Sequence, residues 1–248
     1  MRTLGGRAMH TAFRVTRKTL IVDLGSVRSV LSSAPRSGGL TRARYVLNHQ
    51  VTANPTGKDH RGRRVDAQSP DPARTLSKLA TALGIRDKFV GLMTAVSLSD
   101  LVTVREVYDQ IWIEGFITVG TSNAVRAGEP VMLRERTNRP THTGTINVIL
   151  VTNARLSAAA MVGVVQVATE AKAAVLLAAK VKSWTGRPGA TGTGTDAVVV
   201  VSGNGPSLRY SGSHTILGAL VGRVIEQAVT KGLARYARRQ RAVRHAAL

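Results

Sequence analysis

Short apolar runs alternate with polar breaks along the chain, and their spacing changes between its two halves. In TLIVDLGSVRSVLSSA (19–34) two runs flank Gly25, a pattern of two short strands. The Gly-containing loop PRSGGL and an amphipathic stretch, TRARYVLNHQV (41–51), follow. Residues 52–72 are polar and aperiodic, a loop long enough to suspect function or mobility. Ser69 to Asp71 then offers helix-start chemistry for 72–83, where Leu76, Leu79, Ala80 and Leu83 share a face and Gly84 is a stop. Between 88 and 119 the runs KFVGLMTAVSL, LVTVREVYD and QIWIEGFITVG leave no room for crossover helices, so antiparallel pairing is predicted.

The second half reads β-α-β-α. INVILVT (146–152) is an unbroken apolar run and thus a buried strand. A helix over about 156–181 repeats Met161, Val164, Val165, Ala168, Ala171, Val175 and Leu176. The Gly/Thr loop 183–196 leads to a second buried strand, AVVVVS, and to a helix over 214–233 with Leu217, Leu220, Val221, Val224, Ile225 and Ala228 inward. The predicted fold is α/β of the α+β type: a layered arrangement of mostly antiparallel strands packed against two long helices. One domain spans 19–230, with a basic N-terminal tail (1–18) and a basic helix extension or tail (231–248).

Composition sharpens this. The 248 residues carry 35 Lys+Arg against 14 Asp+Glu, a formal charge of +21. The two tails hold +11 and residues 28–64 a further +7, which leaves +3 for the rest. A nucleic-acid surface would interleave aromatics with its basic residues, and the basic loop 49–64 has none, so the pattern disfavours that partner. The absence of cysteine excludes disulfides, thiolate zinc sites and cysteine nucleophiles. Arg14, Arg17 and Lys18 interrupt any signal-type apolar run, and Glu170, Lys172 and Lys180 interrupt the 156–181 segment, so no membrane span and a cytoplasmic location are expected.

No HExxH or GxSxG motif occurs, and the six histidines lack metal-ligand spacing. GATGTGTD lacks the P-loop lysine and precedes its strand instead of opening a helix. Hydroxyl and amide residues instead gather at strand edges: Thr143, Thr145 and Asn147 before one buried strand, Thr191, Thr193, Thr195 and Asp196 before the other, Ser122 and Asn123 after a third. If the two buried strands start at the same end, this array could supply a Thr nucleophile, an oxyanion donor and an orienting carboxylate, although each residue alone also fits a turn or strand role. Glu170, mid-helix, either pairs in solvent with Lys172 or points into the site.

The blocks VLSSAPRSGGLTRARYVLNHQV, VGLMTAVSL, ITVGTSNAVRAGEP, GTINVILVTNARLS, ATEAKAAVL and GTGTDAVVVVSG, in this order, resemble the adenosylcobinamide amidohydrolases (CbiZ) over about 19–230. The resemblance implies hydrolysis of the amide joining the aminopropanol arm to the corrin ring, giving adenosylcobyric acid and 1-aminopropan-2-ol in corrinoid salvage. It implies no protein cofactor, the cobalt belonging to the substrate. Within those blocks Ser33, Gly38, Gly39, Asn48, Asn123, Asn147, Thr193 and Thr195 are candidate substrate contacts. GTINVILVTNARLS with GTGTDAVVVVSG is also similar to the segments around the nucleophile of ornithine acetyltransferases and N-terminal-nucleophile aminopeptidases. That similarity lays Thr145 on the nucleophile and Thr195 and Asp196 on active-site positions, and it implies a self-cleavage between Gly144 and Thr145.

With an uncut chain, Thr145 or a water would need a base from Glu170, Asp196 or His142, with Glu170 ranked first for its place in the ATEAK block. The rim of a wide cleft is expected at 53–70 or 183–194. The alternatives are another amide hydrolase or acyltransferase of N-terminal-nucleophile type, or a non-catalytic corrinoid-binding protein. Oligomeric state is not legible.

Overall fold

The computed structural model describes residues 10–51, 71–130 and 144–246. The expected 53–70 rim loop, His142 and Thr143 lie outside them. The described residues form twelve strands and three α-helices; β7 (Ala124–Val125) pairs with β10 (Gly192–Thr193), and β9 (Arg155–Leu156) with β12 (Ser207–Leu208), in two short two-stranded sheets. Strands β1 (Ala12–Thr16), β2 (Thr19–Ser32), β3 (Gly39–Gln50), β4 (Phe89–Thr94), β5 (Val102–Tyr108), β6 (Ile111–Val119), β8 (Ile146–Thr152) and β11 (Ala197–Val201) form one eight-stranded sheet. Its order is β4-β3-β2-β11-β8-β6-β5, with β1 beside the first half of β2. Pairing is antiparallel except for β3 with β4 and β8 with β11. The mostly antiparallel expectation holds.

The sheet curls into two facing layers. β2 is one long strand, not two, because the register with β3 shifts between Asp23 and Arg28. Gly25 at that bulge has φ +72°, which an L side chain resists, and its amide donates to Asp23 Oδ1 at 2.9 Å. Beyond the bulge β2 pairs with β11 through Val30, Leu31 and Ser32. Leu20, Val22 and Val46 of one layer pack against Phe116, Ile149 and Val151 of the other. Phe13 of β1 stands edge-on to Phe116, ring centroids 5.1 Å apart.

Alternation does the rest. On β8, Ile149 and Val151 face between the layers, while Ile146, Val148 and Leu150 face the helices. Those helices are α2 (Ala158–Ala178), capped by Ser157 accepting from the Ala160 amide at 3.1 Å, and α3 (Ile216–Ala246). A third helix, α1 (Pro72–Ala82), starts at Asp71 as read from the sequence and covers Ile21 and Leu47 on the far side. Four layers result: α1, sheet, sheet, then α2 with α3.

Two expectations change. Residues 12–16 are β1, not tail: Arg17 and Lys18 both have positive φ and close a two-residue hairpin that no Asn or Gly advertised. The expected C-terminal helix extension is there, since α3 runs on to Ala246. At Gly232 a Cβ would lie 2.4 Å from Val119, so the bare backbone lets helix and β6 approach. By length and apolar composition α2 could cross a membrane, contrary to the expectation. Here it is a core helix, with Met161, Val164, Ala168 and Leu176 buried against the sheet and α3.

Candidate active site

Because β8 and β11 are parallel and in register from Asn147 with Ala197, the residues just before them meet at one end of the sheet. Thr145 is buried there, and its hydroxyl is within donating distance of two oxygens, Thr195 O at 2.9 Å and Asn147 Oδ1 at 3.2 Å. The Thr195 hydroxyl in turn donates to Gly144 O at 2.9 Å. Thr145 O accepts from the Gly120 amide at 3.0 Å, which ties the segment to the end of β6.

Asp196 is the hub beneath. Its Oδ1 accepts from the Ile146 amide at 2.9 Å and from the Thr193 hydroxyl; its Oδ2 accepts from the Thr193 amide at 3.0 Å and pairs with Lys172 Nζ from α2. Thr193 lies on the short strand β10 (Gly192–Thr193), which pairs with β7 (Ala124–Val125) and brings the 121–123 loop alongside. A Cβ on Gly144 would lie 2.7 Å from each of Asn123 Oδ1, Gly120 O and the Ser122 amide nitrogen. Among the described residues, the buried Asn123 Oδ1 has no hydrogen-bond partner.

Asn147 Nδ2 donates to Asn48 Oδ1 at 3.0 Å and to Met93 O at 2.8 Å, and Asn48 Nδ2 reaches Thr118 Oγ1 at 3.4 Å. This amide chain crosses between the sheet layers at 1% exposure for either asparagine. Expected as substrate contacts, Asn48 and Asn147 are sealed from solvent and bonded to each other, and only Asn147 is within reach of the Thr145 hydroxyl.

Of the remaining candidates, Glu170 does not join the cluster. It is exposed on the outer face of α2 and accepts from Gln166 Nε2 at 3.1 Å. Two residues along a helix is about 200°, so the residue that enters is Lys172. It was missed, although it continues the buried i, i+4 row Val164, Ala168, Lys172, Leu176. Ser33 binds both backbone groups of Val198 at 3.1 Å, and Gly38 and Gly39 turn the chain from β2 to β3; all three are exposed and outside the bonded cluster. Gly38 is confined by Ala34 O, 2.5 Å from where its Cβ would stand. Among the described residues no group of three or more His, Asp or Glu is arranged to hold a metal ion.

A family model for adenosylcobinamide amidohydrolase (CbiZ) matches residues 3–241. The chain belongs to the adenosylcobinamide amidohydrolases. The match reaches beyond the expected 19–230 at both ends and takes in β1 and most of α3. An adenosylcobinamide amidohydrolase of Methanosarcina mazei is 33% identical over 233 residues, covering 89% of this chain and 94% of that one. An uncharacterized protein of Methanocaldococcus jannaschii is 30% identical over 232 residues, covering 87% and 86%. Among solved structures, a Burkholderia β-aminopeptidase is similar at 13% identity and TM-score 0.42, covering 88% of this chain and 79% of that one. The PH0078 protein of Pyrococcus horikoshii is similar at 14% identity and the same TM-score, covering 90% and 83%.

Proposed function

We propose that this amidohydrolase cleaves the amide between the aminopropanol arm and the corrin ring of adenosylcobinamide, releasing adenosylcobyric acid and 1-aminopropan-2-ol. Family membership supports the substrate class, and the Thr145 hydroxyl supports the mechanism. The hydroxyl attacks the amide carbonyl, the C–N bond breaks, and the departing amine takes up a proton. Water then hydrolyses the threonyl ester and leaves the corrinoid carboxylate. The cobalt travels with the substrate, so no protein-held cofactor enters.

The observation that carries the reading is what surrounds that hydroxyl. Both oxygens within its reach, Thr195 O and Asn147 Oδ1, are amide carbonyls, which orient a proton but do not remove one at neutral pH. Asp196 has both oxygens engaged by Ile146, Thr193 and Lys172. An amine on Thr145 itself meets the need for a base, and general-base assistance is worth about 10²–10⁴-fold. Such an amine exists once the Gly144–Thr145 bond is cut. The Thr195 hydroxyl supports that step, because it donates to the Gly144 carbonyl that Thr145 Oγ1 would attack. Removal of Gly144 also opens the space flanked by the Ser122 amide and Asn123, where a substrate carbonyl can bind.

The test is incubation of purified protein with adenosylcobinamide, with chromatographic detection of cobyric acid and aminopropanol, beside the intact mass of the same sample. Product formation by a chain cut before Thr145 is the expected result. No cobyric acid overturns the reaction; product from a single unbroken chain overturns the self-cleavage. The same reading puts the enzyme in the cytoplasm, checked by fractionation.

A further inference from the structure

Lys172 is a cation with 8% of its side chain exposed, and Asp196, its partner, has 13%. An ion pair this dry costs desolvation on both sides and is weak evidence for stability. Its connections are specific. The carboxylate that Lys172 holds binds the amide of Ile146, next to Thr145, and both the amide and the hydroxyl of Thr193, two residues before Thr195. Thr195 then contacts the reacting segment twice, by its carbonyl to the Thr145 hydroxyl and by its hydroxyl to Gly144. The path from α2 to the hydroxyl therefore runs through one carboxylate and one turn.

Two further observations fit the same role. Gly192 leaves room for the pair, since a Cβ there would lie 2.6 Å from Asp196 Oδ2 and 3.1 Å from Lys172 Nζ. Lys172 and Asp196 are also the only charged side chains bonded into the cluster among the described residues. From the packed strands β3, β4, β6 and β8 the cluster takes only uncharged groups: Asn48, a Met93 carbonyl, Thr118, the Ile146 amide and Asn147.

We propose that Lys172 is a positioning residue for Thr145, acting through Asp196: it neutralises and pins the carboxylate that sets the 193–196 turn against the start of β8. This rests on Thr145 being the reacting residue. The experiment measures kcat and KM on adenosylcobinamide for Lys172→Met, Lys172→Arg, Gly192→Ala, Asp196→Asn and the double variant Lys172→Met/Asp196→Asn, with Thr145→Ala as control. Misplacing a reacting group by about 1 Å costs about 10²-fold, so Lys172→Met should lower kcat by about 10- to 100-fold while KM changes by less than about threefold. Lys172→Arg should recover much of that loss, and Gly192→Ala, which wedges a methyl group into the pair, should reproduce it. The double variant should match Asp196→Asn, because Lys172 acts through that carboxylate.

Wild-type kcat in Lys172→Met overturns the inference, as does a double variant whose losses multiply. If Lys172→Met fails to fold because Asp196 is left unpaired, the double variant decides by the same comparison. Turnover by Thr145→Ala overturns the underlying assignment. An inactive Thr145→Ala beside an undiminished Lys172→Met overturns the positioning role alone.

Discussion

Thr195 grips both sides of the Gly144–Thr145 peptide bond: its hydroxyl donates to Gly144 O and its carbonyl accepts from the Thr145 hydroxyl, both at 2.9 Å. The two contacts separate by mutation. Thr195→Val removes the hydroxyl and leaves the carbonyl, so in the proposed self-cleavage the Thr145 hydroxyl would stay oriented while the Gly144 carbonyl would lose its donor. Loss of one such donor typically costs about 10²–10³-fold. Self-cleavage, followed by intact mass after expression, should slow by about that factor in Thr195→Val and recover in Thr195→Ser. Wild-type cleavage in the valine variant would remove the hydroxyl from the step.

Gly144 has no space for a side chain. A methyl group would meet Asn123 Oδ1, Gly120 O and the Ser122 nitrogen at 2.7 Å each, well inside contact distance, and two of the three are backbone. Gly144→Ala must therefore move either the 120–123 loop or the start of β8. We expect a stability loss of about 1–3 kcal/mol, as for other overpacked sites, and processing of the bond reduced by more than about tenfold. Denaturant melts beside mass spectrometry measure both, and an alanine variant that is stable and fully processed would contradict the geometry.

Glu170 is the case where the sequence misled. It sits in a block that resembles the family, yet its carboxylate is exposed and accepts from Gln166 on the same helix. Exposed substitutions of this kind usually lie within about 0.5 kcal/mol. Glu170→Gln should keep kcat/KM within about twofold of wild type. A fall of tenfold or more would mean that the outer face of α2 meets the substrate.

What was legible follows from what periodicity encodes. The β-α-β-α half emerged because INVILVT, AVVVVS and the two helices carry unbroken or 3.6-period apolar runs, and the common end of β8 and β11 placed Thr145 beside Thr195 and Asp196. The curl of the sheet did not emerge. It depends on a bulge at Gly25 that looks like a strand break, and on a hairpin at Arg17 and Lys18 whose positive φ is imposed by pairing, not by residue type. The asparagine chain escaped for the same reason: Asn48 and Asn147 are 99 residues apart and meet only because the two layers face each other. Lys172 was readable from the helical row but was read as the solvent partner of Glu170.

β1 offers a test of the layer contact. The Thr11 amide donates to the buried Glu114 at 2.9 Å, His10 Nδ1 lies 3.1 Å from the same carboxylate, and Phe13 covers Phe116. Deleting residues 1–18 strips these partners and, among the described residues, leaves Glu114 with only Arg105, 3.4 Å away. The loss of a buried hydrogen bond to a charged group is worth about 1.5–3 kcal/mol, which lowers Tm by several degrees. A truncated protein that melts with the full chain would show that β1 is dispensable.

His49 adjoins Asn48 in sequence but points the other way, toward α1, with Nδ1 2.9 Å from Thr19 Oγ1. Burial holds its pKa below the ordinary 6.5; a backbone hydrogen bond with Lys18 opposes the shift and the Lys18 charge adds to it. A depressed histidine pKa means that the unfolded chain binds the proton more readily than the folded one. Stability from this group is therefore complete above about pH 6.5 and declines as the pH falls from there through the lower folded-state value. Thermal melts between about pH 7.5 and about pH 5 should show a loss that shrinks in His49→Gln, a substitution that keeps a donor for Thr19 but cannot titrate. An acid limb of equal depth in that variant would assign the sensitivity to another group, and an unchanged kcat in it at pH 7.5 is expected because His49 makes no bond to the Thr145 cluster.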